Sequence, residues 1–343
     1  MPGPVRPLVP CGPGRARPVR TVEEQGGGSR AGSERSGEHR GNSAGTARHG
    51  ARWGANRRDH GDVRILVTND DGLDAPGLHA LAAALAVTGH DLVVAAPTDD
   101  RSGSGAAVGP LPSFERIPVR RGLIPSAPDV AAYGVEAPPA MIVLAAGLGA
   151  FGAPPDLVLA GINPGANTGR AVLHSGTVGA TLTAGQLGRP AIAVSIDLGE
   201  PQLWDTAAWV ALTTLDEMVA GPIADDDGTL VLSINVPNLP RAEVAGLRWA
   251  ELAAGGSAHA ALVDTGDDLE LRFDSRGHEA VPGTDVHLVG AGFATVTRLL
   301  GIRAGAPPVH LDGGLADRLA RSLDAPARPA TVAAYEAALG KLS

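Results

Sequence analysis

The chain has 343 residues, a formal net charge of −9 and a single cysteine, Cys11. One cysteine excludes an intrachain disulfide and a zinc site made of cysteines. No apolar run approaches the roughly 20 residues that a membrane-spanning helix needs, and no apolar segment follows Arg57-Arg58 as it would in an export signal. We therefore expect a cytoplasmic protein with no membrane partner.

Residues 1–62 differ from the rest of the chain in charge and pattern. They hold eleven arginines against six acidic residues, a net charge of +5, so the remainder carries −14. A basic tail can bind RNA or acidic lipid, but the low apolar content is more typical of a solvated segment. We predict a disordered tail over residues 1–62 and no specific nucleic-acid partner.

From Val63 onward, short apolar runs alternate with helical patterns. The predicted strands are Arg64–Thr68, Asp91–Ala95, Tyr133–Val135, Asp156–Ala160, Ala191–Ser195 and Thr229–Asn235. The predicted helices are Pro76–Val87, Pro139–Leu148, Val178–Leu187 and Leu203–Val219. Continuously apolar strands separated by helices are typical of a parallel sheet covered on both faces. The pattern predicts a doubly wound, mostly parallel α/β fold.

The pattern changes after Pro240. Residues 241–300 contain alternating stretches, Leu269–Phe273 and Phe293–Thr297, which predict β-hairpins appended to the main sheet. Residues 301–343 are rich in Pro and Ala, and they predict a C-terminal helical extension with helices near Leu315–Leu323 and Thr331–Leu342.

Two adjacent carboxylates follow the first predicted strand, in the run Asn69-Asp70-Asp71-Gly72. Ligands of open parallel sheets bind beyond the carboxyl ends of the strands. The two carboxylates repel one another, and a hard cation such as Mg²⁺ or Mn²⁺ relieves that repulsion. The alternative interpretation is that one aspartate caps the following helix, for which Asp74 is also a candidate, while the other is solvated.

Three further segments bring polar groups to the same predicted edge. Ser102 and Ser104 follow the second strand, Asn163 and Asn167 follow the strand at 156–160, and Ser175-Gly176-Thr177 precede a helix. Hydroxyls, amide oxygens and the free amides of a helix start can bind a cation or a phosphate. Each segment alone is also explained by a flexible loop, a common glycine spacing or a plain N-cap. Together with the carboxylate pair they predict a metal site beside a phosphate site.

At this level of detail the chain resembles a known family. Six segments between residues 64 and 300 occur in the family's order: RILVTNDDGLDAPGLHAL, APTDDRSGSG, PDLVLAGINPGANTG, HSGTVGATLTAGQLGRPAIAVS, LSINVPNLP and GTDVHLV. In this combination the sequence resembles the SurE family, the survival-protein E or stationary-phase 5′/3′-nucleotidases. The resemblance implies a Rossmann-like α/β domain over residues 63–300, a hairpin and oligomerisation part over 241–300, and a homodimer or homotetramer.

The resemblance also implies roles for individual residues. One divalent metal ion per subunit, Mg²⁺ or Mn²⁺, is implied to bind Asp70, Asp71, Ser102 and Asn163. Asp70 and Asp71 are implied to be catalytic. The residues implied to bind substrate or phosphate are Asn69, Gly72, Ser104, Asn167, Ser175, Gly176 and Thr177.

Two stretches depart from the family pattern. Residues 136–141 replace a Thr-Pro-x-Asp-Cys-Val-like stretch, and Ala106, Ala107 and Val108 replace Ser and Asn in the loop after Ser104. The metal ligands are unaffected, so the departures bear on substrate preference.

The function that these features predict is hydrolysis of nucleoside monophosphates, with release of inorganic phosphate by a metal-activated water. Two alternatives stay open. One is an exopolyphosphatase within the same family, and the other is a catalytically weak nucleotide-binding or regulatory module. A metal-dependent glycosyltransferase is disfavoured, because such enzymes usually carry acids in a D-x-D arrangement.

Overall fold

A computed structural model describes residues 63–109, 116–221, 224–225, 228–256, 259–264, 269–274 and 281–302. The predicted disordered tail and the two helices predicted beyond residue 302 lie outside the described residues.

The described chain alternates strands and helices. The strands are β1 (Arg64–Thr68), β2 (Asp91–Pro97), β3 (Val119–Gly122), β4 (Ala131–Val135), β5 (Leu157–Pro164), β6 (Ala191–Ile196), β7 (Ala224–Asp225), β8 (Gly228–Thr229), β9 (Val231–Val236), β10 (Leu247–Trp249), β11 (His259–Asp264), β12 (Leu269–Asp274) and β13 (Ala294–Arg298). The α-helices are α1 (Pro76–Ala86), α2 (Pro139–Gly147), α3 (Gly176–Gln186), α4 (Trp204–Ala220) and α5 (Asp285–Gly290). Short 3₁₀ helices cover Gly169–His174 and Arg241–Glu243.

Nine strands form one sheet in the order β10-β13-β9-β6-β5-β1-β2-β4-β3. Six of the eight neighbouring pairs are parallel, and the pairs β9–β13 and β3–β4 are antiparallel. The prediction of a Rossmann-like, mostly parallel α/β fold is confirmed. The short strands β7–β8 and β11–β12 form two separate antiparallel hairpins.

The order of the strands creates a topological switch point between β1 and β5. From β1 the chain builds β2, β3 and β4 on one side, and then returns to build β5, β6 and β9 on the other. Ligand crevices of open α/β sheets lie at such a reversal, beyond the carboxyl ends of the strands. A ligand site is therefore expected at the segments that follow β1 and β5.

Both faces of the sheet are covered by helices. Ile65 and Val67 of β1 are fully buried in the core cluster that includes α1 and α4, whereas Leu66 packs in the cluster that includes α2 and α3. This division explains why the parallel strands are continuously apolar and show no alternation.

Two predictions about local structure were wrong. The stretch at 293–297 does not form an appended hairpin, because β13 is inserted into the main sheet between β9 and β10 and its first four residues are buried. Asp74 does not cap α1, since it is exposed and the N-cap position is held by Ala75 without a side-chain hydrogen bond. Pro76 begins this helix instead, where its missing N–H costs nothing. The hairpin predicted around 269–273 corresponds to β11–β12.

Candidate active site

The turn after β1 places the carboxylate pair at the switch point. Asn69 and Asp70 are buried, at 0% and 2% exposure, and Asp71 is partly buried. The side-chain amide of Asn69 donates to the carbonyl of Gly72 at 3.0 Å and closes the turn. Gly72 has φ +106°, a conformation that residues with a side chain rarely adopt.

The carboxylate of Asp70 is held by the start of α3. The backbone amide of Gly176 donates to Oδ2 at 2.9 Å, and the hydroxyl of Thr177 donates to Oδ1 at 2.5 Å. The carbonyl of Asp70 accepts a third hydrogen bond, from the amide of Arg101 at 2.7 Å. The partial positive charge of a helix N-terminus stabilises a carboxylate in this position. Asp70 is thus fixed in orientation by contacts from two distant segments.

The first turn of α3 packs so closely against Asp70 that it leaves no space for a side chain at Gly176. A Cβ atom at Gly176 would lie 2.7 Å from Oδ2 of Asp70 and 2.6 Å from Oγ of Ser104. A Cβ at Gly179 would lie 2.1 Å from the carbonyl oxygen of Gly105. Both glycines are required by this close approach, which brings α3, the β1 turn and the loop after β2 together.

Asp71 is the destabilised member of the carboxylate pair. Burial, followed by the negative charges of Asp70 and Asp100, raises the pKa of Asp71 from 3.8 to about 7. Asp100 changes in the opposite direction, because the hydroxyl and backbone amide of Ser102 donate to its carboxylate and lower its pKa. The backbone bond from Ser102 to Asp100 measures 2.7 Å. A cation beside Asp71 would offset both the burial and the repulsion.

Among the described residues, Asn69 Oδ1, Asp71 Oδ2 and Ser104 Oγ at this turn are buried side-chain oxygens without a hydrogen-bond partner. Buried polar atoms without a protein partner are normally satisfied by water or an ion. Carboxylate, amide and hydroxyl oxygens are the donor set of a hard divalent cation. Within the described residues no cluster of three or more His, Cys, Asp or Glu could hold a metal ion. Any cation here would therefore use neutral oxygens besides the two carboxylates.

Asn163, near the end of β5, and Asn167, just after it, are each held by hydrogen bonds within the protein. The side-chain amide of Asn163 donates to the carbonyl of Gly165 at 2.7 Å. That of Asn167 donates to the hydroxyl of Ser195 at 2.9 Å, and the carbonyl of Asn167 accepts from the side chain of Asn235 at 2.9 Å.

The helix start at Ser175 matches the plain N-cap interpretation. The hydroxyl of Ser175 accepts a hydrogen bond from the amide of Val178 at 3.1 Å. Because Gly176 and Thr177 hold Asp70, the donors at this helix start are partly engaged within the protein. A direct role of these residues in phosphate binding stays a prediction.

The predicted site residues thus fall into two groups. Asp70, Ser104, Gly176 and Thr177 lie against one another, with Asn69, Asp71 and Gly72 in the adjoining turn. In the part of the chain that the structure describes, no hydrogen bond joins Ser102, Asn163 or Asn167 to Asp70 or Asp71. Ser102 is exposed in the loop after β2.

Three polar residues that support the site carried no predicted role: Ser195, Asn235 and Asp285. Ser195 and Asn235 are each 1% exposed and lie near the carboxyl ends of β6 and β9, the same edge of the sheet as the aspartates. A polar residue closing an apolar parallel strand was the available signal for both. Asp285 belongs to α5, and the available signal for it was its place in the GTDVHLV segment.

None of the helices in the described ranges is both long enough and apolar enough to cross a lipid bilayer. The prediction of a cytoplasmic protein stays a prediction.

Comparison with known proteins gives consistent matches. A protein-family model described as Survival protein SurE matches residues 65–258. The protein named 5′-nucleotidase SurE from Nitrosococcus oceani is 35% identical over 247 residues, covering 68% of this chain and 90% of the relative. Its namesake from Synechococcus sp. is 36% identical over 250 residues, covering 69% and 91%. The crystal structure of a SurE protein from Aquifex aeolicus is 29% identical with a TM-score of 0.57, covering 69% of this chain and 93% of the other.

Proposed function

This chain belongs to the SurE family, and we propose that it is a divalent-metal phosphohydrolase that converts nucleoside monophosphates to nucleosides and inorganic phosphate. The resemblance predicted from the motifs is confirmed. The relatives carry the name 5′-nucleotidase, which supports assignment of this chain to the phosphoric monoester hydrolases. We propose, in addition, the dependence on a metal ion and the roles of the individual residues.

The observation that carries the proposal is the environment of Asp71. Its carboxylate sits beside the fixed carboxylate of Asp70, and its pKa is raised to about 7. Its Oδ2 is buried and has no hydrogen-bond partner in the described part of the chain. Such an arrangement is costly to the protein unless a cation compensates it. Its location at the β1–β5 switch point is where a ligand is expected.

The residues proposed to hold one Mg²⁺ or Mn²⁺ are Asp70, Asp71, Ser102 and Asn163. When bound, the ion supplies charge neutralisation at the phosphoryl group and lowers the pKa of a coordinated water. The protein's part is to fix the orientation of Asp70 through Gly176 and Thr177. Since both oxygens of Asp70 already accept hydrogen bonds, acceptance of a proton from the attacking water falls to Asp71.

The phosphate is proposed to lie between Ser104, the start of α3 and Asn167. Ser104 offers the clearest donor, because its hydroxyl is buried beside Gly176 and no described residue forms a hydrogen bond with it. Arg101 is exposed at the rim of the same loop and can pair with an anion. Phosphoryl transfer depends mainly on positioning and charge neutralisation, and these groups provide both.

The test is a phosphate-release assay on the purified full chain. The substrates are AMP, GMP, their 3′ isomers and short polyphosphate, each with Mg²⁺, Mn²⁺ or Co²⁺ and each repeated with EDTA. We expect release from nucleotides that EDTA abolishes. Release that persists in EDTA would contradict the metal-dependent mechanism, faster turnover of polyphosphate would identify an exopolyphosphatase, and binding of AMP without turnover would identify a regulatory module.

The assembly state is proposed from the family as a homodimer or homotetramer. Light scattering of the purified chain tests it, and a monomer at micromolar concentration would contradict it.

A further inference from the structure

We infer that Asp285 is a positioning residue for the substrate side of the active site. The inference rests on the proposed function and deepens it, since it assigns Asp285, a residue of the GTDVHLV segment with no predicted role, to the control of substrate binding.

Asp285 is a fully buried carboxylate whose hydrogen-bond donors, within the described ranges, are backbone amides. It is 0% exposed at the start of α5. Its Oδ2 accepts from the amide of Gly169 at 2.7 Å, and its Oδ1 accepts from the amides of Ala253 at 3.0 Å and Val286 at 2.9 Å. A buried carboxylate is costly unless its oxygens are well bonded, so these three contacts define its position.

The Asp285 side chain joins three separate chain segments. The amide of Asp285 donates to the carbonyl of Glu251 at 2.9 Å, and the amide of Arg170 donates to the carbonyl of Ala253 at 3.1 Å. A Cβ atom at Gly169 would lie only 1.9 Å from the carbonyl oxygen of Gly255. The backbone at Gly169 is therefore clamped between Asp285 and residues 253–256.

Gly169 lies between Asn167 and the helix start at Ser175, two of the elements proposed to surround the phosphate. It begins the 3₁₀ helix Gly169–His174, it follows Asn167 by two residues, and the same helix leads directly into Ser175 and α3. On the other side, Asn235 and Ser195 hold Asn167. The position of Asn167 and of the approach to α3 thus depends on a hydrogen bond made by α5, more than 100 residues later in the chain.

The two carboxylate oxygens of Asp285 accept different numbers of hydrogen bonds, one at Oδ2 and two at Oδ1, and this difference makes a selective test possible. In the variant Asp285→Asn the carbonyl oxygen can keep the place of Oδ1, where it accepts two hydrogen bonds. The NH₂ group then faces the amide of Gly169, donor against donor. The substitution therefore releases Gly169 while it retains the links to Ala253 and α5.

The matched control is Asp156→Asn. Asp156 Oδ2 also accepts a backbone amide from a distant segment, that of Arg64 at 3.0 Å. This bond lies at the amino ends of β1 and β5, the edge of the sheet opposite to the site. Because the amide oxygen of the Asp156→Asn side chain can turn to accept the Arg64 amide, this variant removes a charged acceptor without removing its hydrogen bond, and it controls for the loss of charge alone.

For Asp285→Asn we expect the KM for AMP to rise about tenfold while kcat changes less than about threefold, the loss expected for one hydrogen bond to a charged group. We expect an unchanged KM in Asp156→Asn. A fall in kcat at constant KM, or equal behaviour of the two variants, would overturn the inference. Hydrogen exchange gives a readout besides turnover: the Gly169 amide should be protected in the wild type and exchange faster in Asp285→Asn.

If Asp285→Asn fails to fold, hydrogen exchange of the wild type still tests the inference. A Gly169 amide that exchanges as fast as exposed amides would contradict its hydrogen bond to Asp285. If the wild type shows no turnover at all, the proposed function fails and the affinity for AMP, measured by calorimetry, replaces KM. An unchanged affinity in Asp285→Asn then overturns the inference on its own.

Discussion

The active site has a buried half and an exposed half that are stabilised in different ways. In the buried half, Asp70 is bonded to Gly176 and Thr177, residues 106 and 107 positions away in the sequence. In the exposed half, Asp100 is bonded to Ser102, only two positions away. The buried half is thus a product of the whole fold, whereas the exposed half is a local turn.

This difference indicates which half sets the geometry of the site. Long-range contacts inside a packed core fix the orientation of a side chain, because the surrounding structure resists rearrangement. A local turn in solvent can adapt to a ligand at small cost. We therefore expect substitutions in the buried half to affect both catalysis and stability, and substitutions in the exposed half to affect catalysis with little change in stability.

The largest expected effect is on turnover in Asp71→Asn. The substitution removes the carboxylate whose Oδ2 has no hydrogen-bond partner among the residues that the structure describes. Metal-dependent phosphate release should therefore fall at least about 100-fold. Asp70→Asn should be equally severe, because its NH₂ group would face a donor on α3. Asp99→Asn, in the exposed loop beside them, is the control. Near-normal turnover in either site variant, measured by phosphate release, would refute the assignment.

The next largest effect is expected for Gly176→Ala. The new methyl group would collide with Asp70 and Ser104, and such overpacking destabilises a protein by about 1–3 kcal/mol. Turnover should fall as well, since Asp70 must move. Gly290→Ala is the matched control, because a Cβ there meets nothing within 4 Å. Thermal unfolding measures the stability of both, and equal melting temperatures would show that the close contact is unimportant.

A smaller effect concerns the stability of the metal-free protein as a function of pH. The folded-state pKa of Asp71, about 7, lies above the unfolded value of 3.8, so the folded protein keeps a proton that the unfolded chain has released. Its stability should therefore decrease as the pH rises from about 4 to 7, and level off above that.

Denaturant unfolding in EDTA at pH 5 and pH 8 measures this decrease. The wild type should lose about 1–2 kcal/mol more than Asp71→Asn between the two conditions, allowing for solvent screening of the partly exposed carboxyl. Parallel pH curves for the two proteins would contradict the raised pKa.

The smallest effect on stability is expected for Ser102→Ala in the exposed half. Its free energy of unfolding should stay within about 0.5 kcal/mol of the wild type, as is usual for an exposed position. If Ser102 binds the ion as proposed, the concentration of Mn²⁺ needed for half-maximal turnover should nevertheless rise. An unchanged requirement for Mn²⁺ would remove Ser102 from the set of metal ligands.

Much of the fold was predictable because burial leaves a clear pattern. The parallel strands at the centre of the sheet are continuously apolar, and β1 was predicted with its observed ends. Two of the strands that were missed lack that pattern: β3 and β10 are edge strands whose residues are almost all exposed. The insertion of β13 into the main sheet depends on pairing with β9, which periodicity within a single segment does not reveal.

The site was predictable as a set of segments but not as a set of contacts. Strand ends in a parallel sheet share one edge, so Asp70, Ser104, Asn163 and Thr177 could be grouped from sequence. The hydrogen bonds from α3 to Asp70 required the packed structure. The link from Asp285 to Gly169 likewise joins positions 116 residues apart, and no local pattern indicates it.

The double hydrogen bonding of Asp70 has a thermodynamic consequence for ligand binding. A side chain that is already bonded on both oxygens loses its rotamer freedom during folding, so that entropy is not lost again when a ligand arrives. A cation that binds here meets one ligand in its final orientation, and the ordering cost of that ligand is already included in the free energy of folding. The fold thus contributes to affinity in advance, through the entropy of a carboxylate that no longer moves.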